Sequence, residues 1–267
     1  MANRKAMLID IKRCIGCLSC ETACKQLHGF NPEPEPTLSD TAFTVVEARG
    51  DKFVRKICMH CDDPACASAC PVGAISKSAL GPVLYNADKC IGCRYCMLAC
   101  PYSVPRYQWS KLAPFVKKCD LCSGRVVAGG QPACTEACPA QASVFGNRDE
   151  LIAEAWQRIR SDSSYVPHIY GVEEAGGGSV FFVSDVPFEK LGFKPSPTGN
   201  QPVPTLTASA LGDSPKVVIM GGTILSALYW VTQRRREVAL AEAEERAAIN
   251  QIKQERAAIE KMKHERS

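Results

Sequence analysis

Sixteen cysteines in four tight quartets constrain this 267-residue chain more than any other feature of its sequence. The first and third quartets share the spacing C-x2-C-x2-C-x3-C, whereas the second and fourth have a longer middle gap. Disulfide frameworks belong mostly to short, loop-rich secreted chains, so the grouping favours reduced thiolates that bind metal. The quartets are Cys14, Cys17, Cys20 and Cys24; Cys58, Cys61, Cys66 and Cys70; Cys90, Cys93, Cys96 and Cys100; and Cys119, Cys122, Cys134 and Cys138.

The spacing C-x2-C-x2-C-x3-C is typical of bacterial ferredoxins, in which three cysteines bind one 4Fe–4S cluster and the fourth serves a second cluster. Cysteines two residues apart turn backbone N–H groups toward the cluster sulfurs, and Gly16 and Gly92 suit the positive φ of such a turn. The sequence therefore predicts four 4Fe–4S clusters. A zinc-binding or redox-sensing structural module is the alternative, although zinc sites need only two cysteine pairs per ion.

The residue after the fourth cysteine differs between quartets. Three quartets place a proline there, which stops the preceding helical turn, and these are Pro71, Pro101 and Pro139. Lys25 occupies this position in the first quartet. We therefore expect the first helix to continue past Cys24.

The quartets also form two similar pairs, because the first resembles the third and the second resembles the fourth. The second likeness is visible in PACASACPVGA (64–74) and PACTEACPAQA (132–142). The chain thus has the pattern of a repeated two-cluster unit. Spacing allows two pairings: first with second and third with fourth, or second with third and first with fourth.

A family resemblance favours the second pairing. CPVGAISKSALGPVLYNADKCIGCRYCMLACPY (70–102) resembles the centre of a two-cluster ferredoxin. Over residues 6–192 the chain is similar to formate dehydrogenase beta subunits and to the ferredoxin-like subunit of membrane-bound uptake hydrogenases. The motifs that carry this likeness are ICMHCDDPAC (57–66), KKCDLC (117–122) and HIYGVEEAGGGSVFFVSDVPFEKLGF (168–193).

The resemblance implies ligands that cross between quartets, in four sets. Set 1 is Cys14, Cys17, Cys20 and Cys138; set 2 is Cys24, Cys119, Cys122 and Cys134; set 3 is Cys58, Cys61, Cys66 and Cys100; set 4 is Cys70, Cys90, Cys93 and Cys96. The implied fold class is α+β, with tandem bacterial-ferredoxin-like two-cluster modules and an inserted hairpin. His60 lies between two cysteines of a complete quartet, so we expect it beside a cluster or at the surface rather than as a ligand.

The resemblance and the composition together divide the chain. Residues 1–193 form the four-cluster domain, with an inner module over about 53–105 and an outer module from about 6–30 and 115–146. Proline-rich residues 194–216 are expected to form a linker, and 234–267 a charged helical tail. The alternating run 41–57 predicts a hairpin about Gly50-Asp51, and 148–160 predicts an amphipathic helix.

Residues 217–233, VVIMGGTILSALYWVTQ, carry no charge and predict a C-terminal transmembrane helix. Seventeen helical residues reach about 25 Å, close to the ~30 Å hydrocarbon core. A buried helix of a soluble domain is the alternative. Arg234, Arg235 and Arg236 favour a cytoplasmic tail and a periplasmic cluster domain, whereas scattered lysines leave a cytoplasmic cluster domain open. The N-terminus shows no cleavable signal, so a periplasmic domain requires export bound to a partner.

The sequence also limits the function classes. The formal charge of +4 becomes −4 if four clusters each carry −2 with their thiolates, and no basic-aromatic stripe predicts nucleic acid binding. We find no catalytic residues, because no Ser-His-Asp order or paired carboxylates stand out. The resemblance implies an electron-transfer subunit between a catalytic subunit, of molybdopterin or nickel-iron type, and an integral membrane subunit that serves quinone or a cytochrome.

Overall fold

The apolar N-terminal run forms the central strand of a small sheet in the computed structural model, which describes residues 4–112, 114–193, 195 and 198–264. Strand β1 (Lys5–Asp10) pairs antiparallel with β8 (Ser143–Asn147) and parallel with β9 (Val180–Val183). β1 is almost wholly buried because its two faces pack against two different apolar clusters. The sheet therefore ties the start of the chain to segments after the fourth quartet.

The other elements are short and lie around the cysteine quartets. The helices are α1 (Ser19–Leu27), α2 (Ala65–Ser68), α3 (Tyr95–Ala99), α4 (Ser123–Val127), α5 (Ala133–Glu136), α6 (Arg148–Ser161) and α7 (Thr205–His264). The remaining strands are β2 (Val45–Arg49), β3 (Lys52–Lys56), β4 (Ile75–Lys77), β5 (Val83–Tyr85), β6 (Arg106–Tyr107) and β7 (Val116–Lys117). Helix α1 contacts α5, and α2 contacts α3, so each helix contact joins two quartets.

The hairpin expected over 41–57 is confirmed. Strands β2 and β3 pair antiparallel, with Val45 opposite Lys56 and Arg49 opposite Lys52. Gly50 has φ of 65° and lies in the connecting turn, as a tight hairpin requires. The hairpin leads directly into the second quartet.

The amphipathic helix expected over 148–160 is also confirmed as α6. Leu151, Ala155 and Ile159 are buried in the cluster that covers one face of the sheet. Trp156 remains 38% exposed, so the buried stripe is narrower than the sequence pattern suggests. The helix serves packing, because its apolar face completes this second core.

Helix α1 extends past the first quartet, as the missing proline predicts. It has nine residues and continues from Cys24 through Lys25 to Leu27. Helices α2, α3 and α5, which precede the other fourth cysteines, have only four or five residues and end before those cysteines. Cys24 is therefore fixed within a helix, whereas its counterparts lie after a helix end.

The chain divides into one compact unit up to Leu206 and a second unit from Thr207 onward. Helix α7 begins at Thr205, so the second half of the expected linker is helical. Pro204 directly precedes this helix, which is compatible with a helix start. Residues 194, 196 and 197 of the linker, and 265–267 of the tail, lie outside the described residues.

Among the described residues, α7 is long and apolar enough to cross a membrane by length and composition. None of its most apolar 18-residue window is buried. Tyr229 and Trp230 lie near the end of the apolar segment and are exposed. Side chains beyond position 254 lie outside the described part of the tail, so the apolar positions Ile259 and Met262 remain sequence expectations.

Candidate iron–sulfur centres

Each quartet begins with the same backbone turn. The residue before the second cysteine has positive φ in every quartet: Gly16 (68°), His60 (48°), Gly92 (71°) and Leu121 (58°). Such a residue reverses the chain and turns successive N–H groups to one side. Two of these N–H groups already donate to sulfur, from Gly92 to Cys90 Sγ at 3.4 Å and from Leu121 to Cys119 Sγ at 3.3 Å.

Close packing against the hairpin also requires a glycine at position 16. A Cβ atom at this position would lie 2.5 Å from the ring of Phe53, which no real contact allows. At Gly92 the nearest atom to such a Cβ is Tyr107 Oη, at 3.1 Å. Both glycines thus have the conformation that the sequence predicts, and Gly16 additionally permits a close approach to the hairpin.

The thiols of set 1 line one cavity, although Cys138 is distant in sequence from Cys14, Cys17 and Cys20. Burial raises the pKa of Cys14, and the Cys138 and Cys17 thiolates raise it further. Cys17 is exposed, whereas the other three thiols are half-buried. The structure therefore brings together the four residues of this set at the surface of the domain.

The thiols of set 2 are all buried. Burial raises the pKa of Cys24 to about 12, and the charges of Cys134 and Cys122 add to this effect. Burial likewise raises the pKa of Cys119 well above its ordinary value, with Cys58, Cys24 and Cys134 as charged neighbours. The fourth cysteine of the first quartet thus lies among three cysteines of the fourth quartet.

Set 3 shows the same crossing within the inner module. Burial raises the pKa of Cys61 well above its ordinary value, followed by the charges of Cys58, Cys100 and Cys66. Cys66 has a pKa raised to about 12, again by burial and then by Cys58. Cys100, from the third quartet, therefore joins three cysteines of the second.

Set 4 completes the pattern. Burial raises the pKa of Cys96 to about 11, and the charges of Cys90, Cys93 and Cys70 contribute in that order. All four thiols line one cavity. The backbone N–H of Ala74 donates to Cys70 Sγ at 3.2 Å. Cys70, from the second quartet, therefore faces three cysteines of the third.

Some pairs of thiols from different sets lie close enough together for one to affect the pKa of the other. In each pair one thiolate raises the pKa of the other, and each pair joins two consecutive sets. These links give the linear order set 1, set 2, set 3, set 4. The pairs are Cys20 with Cys134, Cys119 with Cys58, and Cys66 with Cys96.

His60 is buried beside set 3, so the surface alternative for this residue is wrong. Its Nδ1 accepts a hydrogen bond from the N–H of Val83 at 2.9 Å. Burial lowers the pKa of His60 well below its ordinary value, and nearby Lys118 and Lys77 lower it further. Lys118 Nζ is itself buried and donates to the carbonyl of Cys119 at 2.9 Å and to that of Val83. Burial, the two lysines and the hydrogen bond accepted by Nδ1 therefore all favour the neutral form of His60.

Sequence reasoning missed two buried cations near the thiols, Lys118 and Arg55. Arg55 is 3% exposed and lies on β3, where both Val54 and Arg55 are buried. A strand with one solvated face would expose one of these neighbours. The sequence offered one clue to the burial of Arg55: it follows the apolar residues of the second hairpin strand and lies shortly before the second quartet.

The four sets fit 4Fe–4S clusters by their own chemistry. Each set offers four thiols, which is the ligand number of such a cluster, and backbone N–H groups already donate to three of the sulfurs. The thiols of sets 1 and 4 surround open space rather than one point. Among the residues that the structure describes, no three His, Cys, Asp or Glu side chains converge on a single metal ion.

Comparison with known proteins agrees with this chemistry. Residues 51–148 and residues 13–74 each match a family of 4Fe-4S dicluster domains. The chain is 38% identical over 233 residues to the hydrogenase-2 operon protein HybA of Escherichia coli O157:H7, which covers 69% of this chain and 71% of the relative.

Two further relatives belong to other oxidoreductases. The chain is 38% identical over 199 residues to the iron-sulfur subunit of the nitrate-inducible formate dehydrogenase of Escherichia coli K12, which covers 67% of each chain. It is 40% identical over 167 residues to the probable anaerobic dimethyl sulfoxide reductase chain YnfG of the same strain, which covers 57% of this chain and 77% of the relative. The chain therefore belongs to the ferredoxin-like 4Fe-4S iron-sulfur (beta) subunits of oxidoreductase complexes.

Proposed function

We propose that the chain carries four 4Fe–4S clusters and conducts electrons along them between a catalytic subunit and a membrane subunit. Clusters 1 to 4 are bound by sets 1 to 4. The observation that carries this proposal is the meeting of thiols from distant quartets, such as Cys14 with Cys138 and Cys24 with Cys134. If each quartet bound a cluster of its own, no cysteine would lie among the thiols of another quartet.

The order of the sets supports a linear path. Consecutive sets share charged thiol neighbours, so an electron passes from cluster 1 through clusters 2 and 3 to cluster 4, or in the reverse direction. All four thiols of set 2 and two of set 3 are buried, whereas set 1 has no buried thiol and set 4 has one. Electrons therefore enter and leave through the two terminal clusters, and the buried clusters are screened from solvent.

The partners follow from the relatives. Their names assign them to hydrogenase, formate dehydrogenase and dimethyl sulfoxide reductase systems. We propose a catalytic subunit of nickel-iron or molybdopterin type at one end of the path. At the other end we propose an integral membrane subunit that exchanges electrons with quinone or a cytochrome. The chain itself supplies ligation, cluster spacing and electrostatics rather than a substrate site.

The apolar segment 217–233 of α7 supports a membrane anchor. Its side chains are exposed along the segment, and Arg234 to Arg236 follow it directly. By the positive-inside rule we propose a cytoplasmic tail and a periplasmic cluster domain exported with its partner. A fusion reporter at the C-terminus, tested for activity on each side of the membrane, distinguishes this orientation from a cytoplasmic cluster domain.

Anaerobic purification of the full chain tests the cofactor proposal. We expect about sixteen irons and an equal amount of acid-labile sulfide per chain, since each of four clusters contains four of each. Zinc with negligible sulfide would instead identify a structural metal module. Co-purification from solubilised membranes then tests the partners. An electron-transfer subunit should be recovered together with a catalytic subunit and an integral membrane subunit.

A further inference from the structure

Arg55 is a buried arginine held in place by two hydroxyl groups. Its Nε donates to Thr44 Oγ1 at 2.8 Å, and its Nη1 donates to Ser143 Oγ at 2.9 Å. The side chain is 3% exposed. These two hydrogen bonds fix the plane of the guanidinium between the hairpin and the end of the fourth quartet.

No carboxylate within the described residues forms an ion pair with Arg55. Its Nη2 is buried and has no nitrogen or oxygen acceptor there. Glu21 is close enough for Arg55 to affect its pKa, but its carboxylate accepts a hydrogen bond from the N–H of Val46, and burial raises the pKa of Glu21. An uncompensated buried charge is strongly destabilising, so Arg55 requires another counter-ion.

The groups around the guanidinium are thiols from sets 1 and 2. Arg55 opposes the rise in the pKa of Cys14, Cys20 and Cys24 that burial causes. Arg55 lines the same cavity as the four thiols of set 1, and the charges of Cys134 from set 2 and Cys20 from set 1 act to raise its pKa. Arg55 thus lies where two ligand sets approach each other.

We propose that Arg55 is the shared counter-charge of clusters 1 and 2 and raises the reduction potentials of both. This inference rests on the ligand sets of the proposed function. Each cluster accepts one electron on reduction, which adds one negative charge and breaks no bond. A fixed positive charge in a buried site favours the more negative, reduced state. The electron comes from the catalytic subunit, or from dithionite in a titration.

Arginine suits this role because its guanidinium keeps its charge at every physiological pH. Reduction of clusters 1 and 2 therefore needs no proton uptake at Arg55. One cation between two clusters also offsets their mutual repulsion when both are reduced. Arg55 acts through its positive charge and takes no part in forming or breaking a bond.

Redox titration of the full chain, followed by EPR, tests this role. In Arg55→Met we expect at least a tenfold fall in the reduced-to-oxidised ratio of both cluster 1 and cluster 2 at fixed potential, which corresponds to a 59 mV fall in each one-electron reduction potential. Arg55→Lys retains the charge and should keep most of that ratio. The signals are assigned by their change in Cys17→Ser and Cys122→Ser. Arg49→Met is the matched control, because Arg49 lies on the same hairpin and pairs with Glu47.

The outcomes separate this inference from the proposed function. Unchanged potentials in Arg55→Met at full iron content would overturn the role of Arg55. Equal loss of clusters 1 and 2 in Arg55→Met and Arg55→Lys would also overturn it, because shape rather than charge would then matter. Loss of clusters 1 and 2 in Arg55→Met but not in Arg55→Lys supports it. A wild-type chain without iron and sulfide would instead refute the proposed function.

Discussion

Lys25 Nζ lies 2.7 Å from Glu35 Oε1 and also donates to the backbone carbonyl of Glu33. Lys25 is 3% exposed, although it occupies the position where the other quartets have proline. Its side chain therefore connects the last turn of α1, beyond Cys24, to the proline-rich segment 31–36. The residue that lets the helix continue also anchors the loop that follows it.

The first prediction concerns this ion pair. Glu35→Gln leaves Lys25 buried without its counter-charge, and we expect the free energy of unfolding to fall by about 2 kcal/mol, as for hydrogen bonds to charged groups. Urea unfolding followed by tryptophan fluorescence measures the change. Glu33→Gln is the control, because Lys25 contacts the backbone of Glu33 and not its carboxylate. An equal loss in both variants would contradict the assignment.

The same pair gives a pH dependence. Burial acts to raise the pKa of Glu35, but the hydrogen bonds from Lys25, Ser39 and Thr41 and the charge of Lys25 together outweigh it and hold the pKa below its ordinary value. A depressed folded-state pKa stabilises the protein above the unfolded value of about 4.3, and this stabilisation is lost as pH falls through the folded value. The difference between wild type and Glu35→Gln should therefore stay constant from about pH 6 to pH 8. A difference that shrinks within this range would show that Glu35 titrates higher.

Short-range patterns determine much of this fold. The turn before the second cysteine, the hairpin around Gly50 and the extension of α1 each depend on a few adjacent residues, and all were predictable. Burial of polar groups was not predictable, because it depends on packing between distant segments. The second and third quartets separate Arg55 from Lys118 in the sequence, yet both residues are buried near thiols.

The start of α7 and the pairing of quartets show the same limit. Prolines and polar residues between 194 and 216 favoured a linker, but Pro204 precedes the helix and Pro215 lies inside it. Spacing allowed two pairings of the quartets. The sequence alone could not choose between them, because residues such as Cys24 and Cys134 are separated by most of the cluster domain.

The second prediction tests the crossing of ligands. Cys24→Ser should damage or shift the cluster of Cys119, Cys122 and Cys134, because the Cys24 thiol lies among these thiols. The EPR signal of the cluster bound by the first quartet should remain. Cys138→Ser is the reciprocal control and should alter that other signal. If Cys24→Ser and Cys138→Ser alter the same signal, the crossing is wrong.

The third prediction compares two glycines with the same backbone conformation. Gly16→Ala adds strain at positive φ, of about 1–2 kcal/mol, and also places a methyl group against the ring of Phe53. Gly92→Ala adds the same strain with a milder contact at Tyr107. Iron content and the urea midpoint should therefore fall more in Gly16→Ala. Phe53→Leu should recover part of the loss in Gly16→Ala; no recovery would place its cause elsewhere.

The fourth prediction concerns a buried ion pair away from the thiols. Asp10 Oδ2 accepts hydrogen bonds from Arg158 Nη1 at 2.9 Å and from the Tyr165 hydroxyl at 2.8 Å. Asp10→Asn leaves Arg158 without this charge, and we expect a loss of about 3 kcal/mol in the free energy of unfolding. Tyr165→Phe removes one hydrogen bond and should cost about 1 kcal/mol. Cluster potentials should stay unchanged in both variants, and a shift would mean that Asp10 influences the clusters.

The last prediction concerns the role of α7. A chain that ends at Pro204 lacks the whole helix but keeps almost all of the first compact unit. Expressed without partner subunits, it should leave the membrane fraction and retain the iron content of the full chain. A chain that ends at Arg236 keeps the apolar segment and the three arginines, and it should stay with the membrane after an alkaline wash. If both shortened chains behave alike in this wash, residues 217–233 do not anchor the protein.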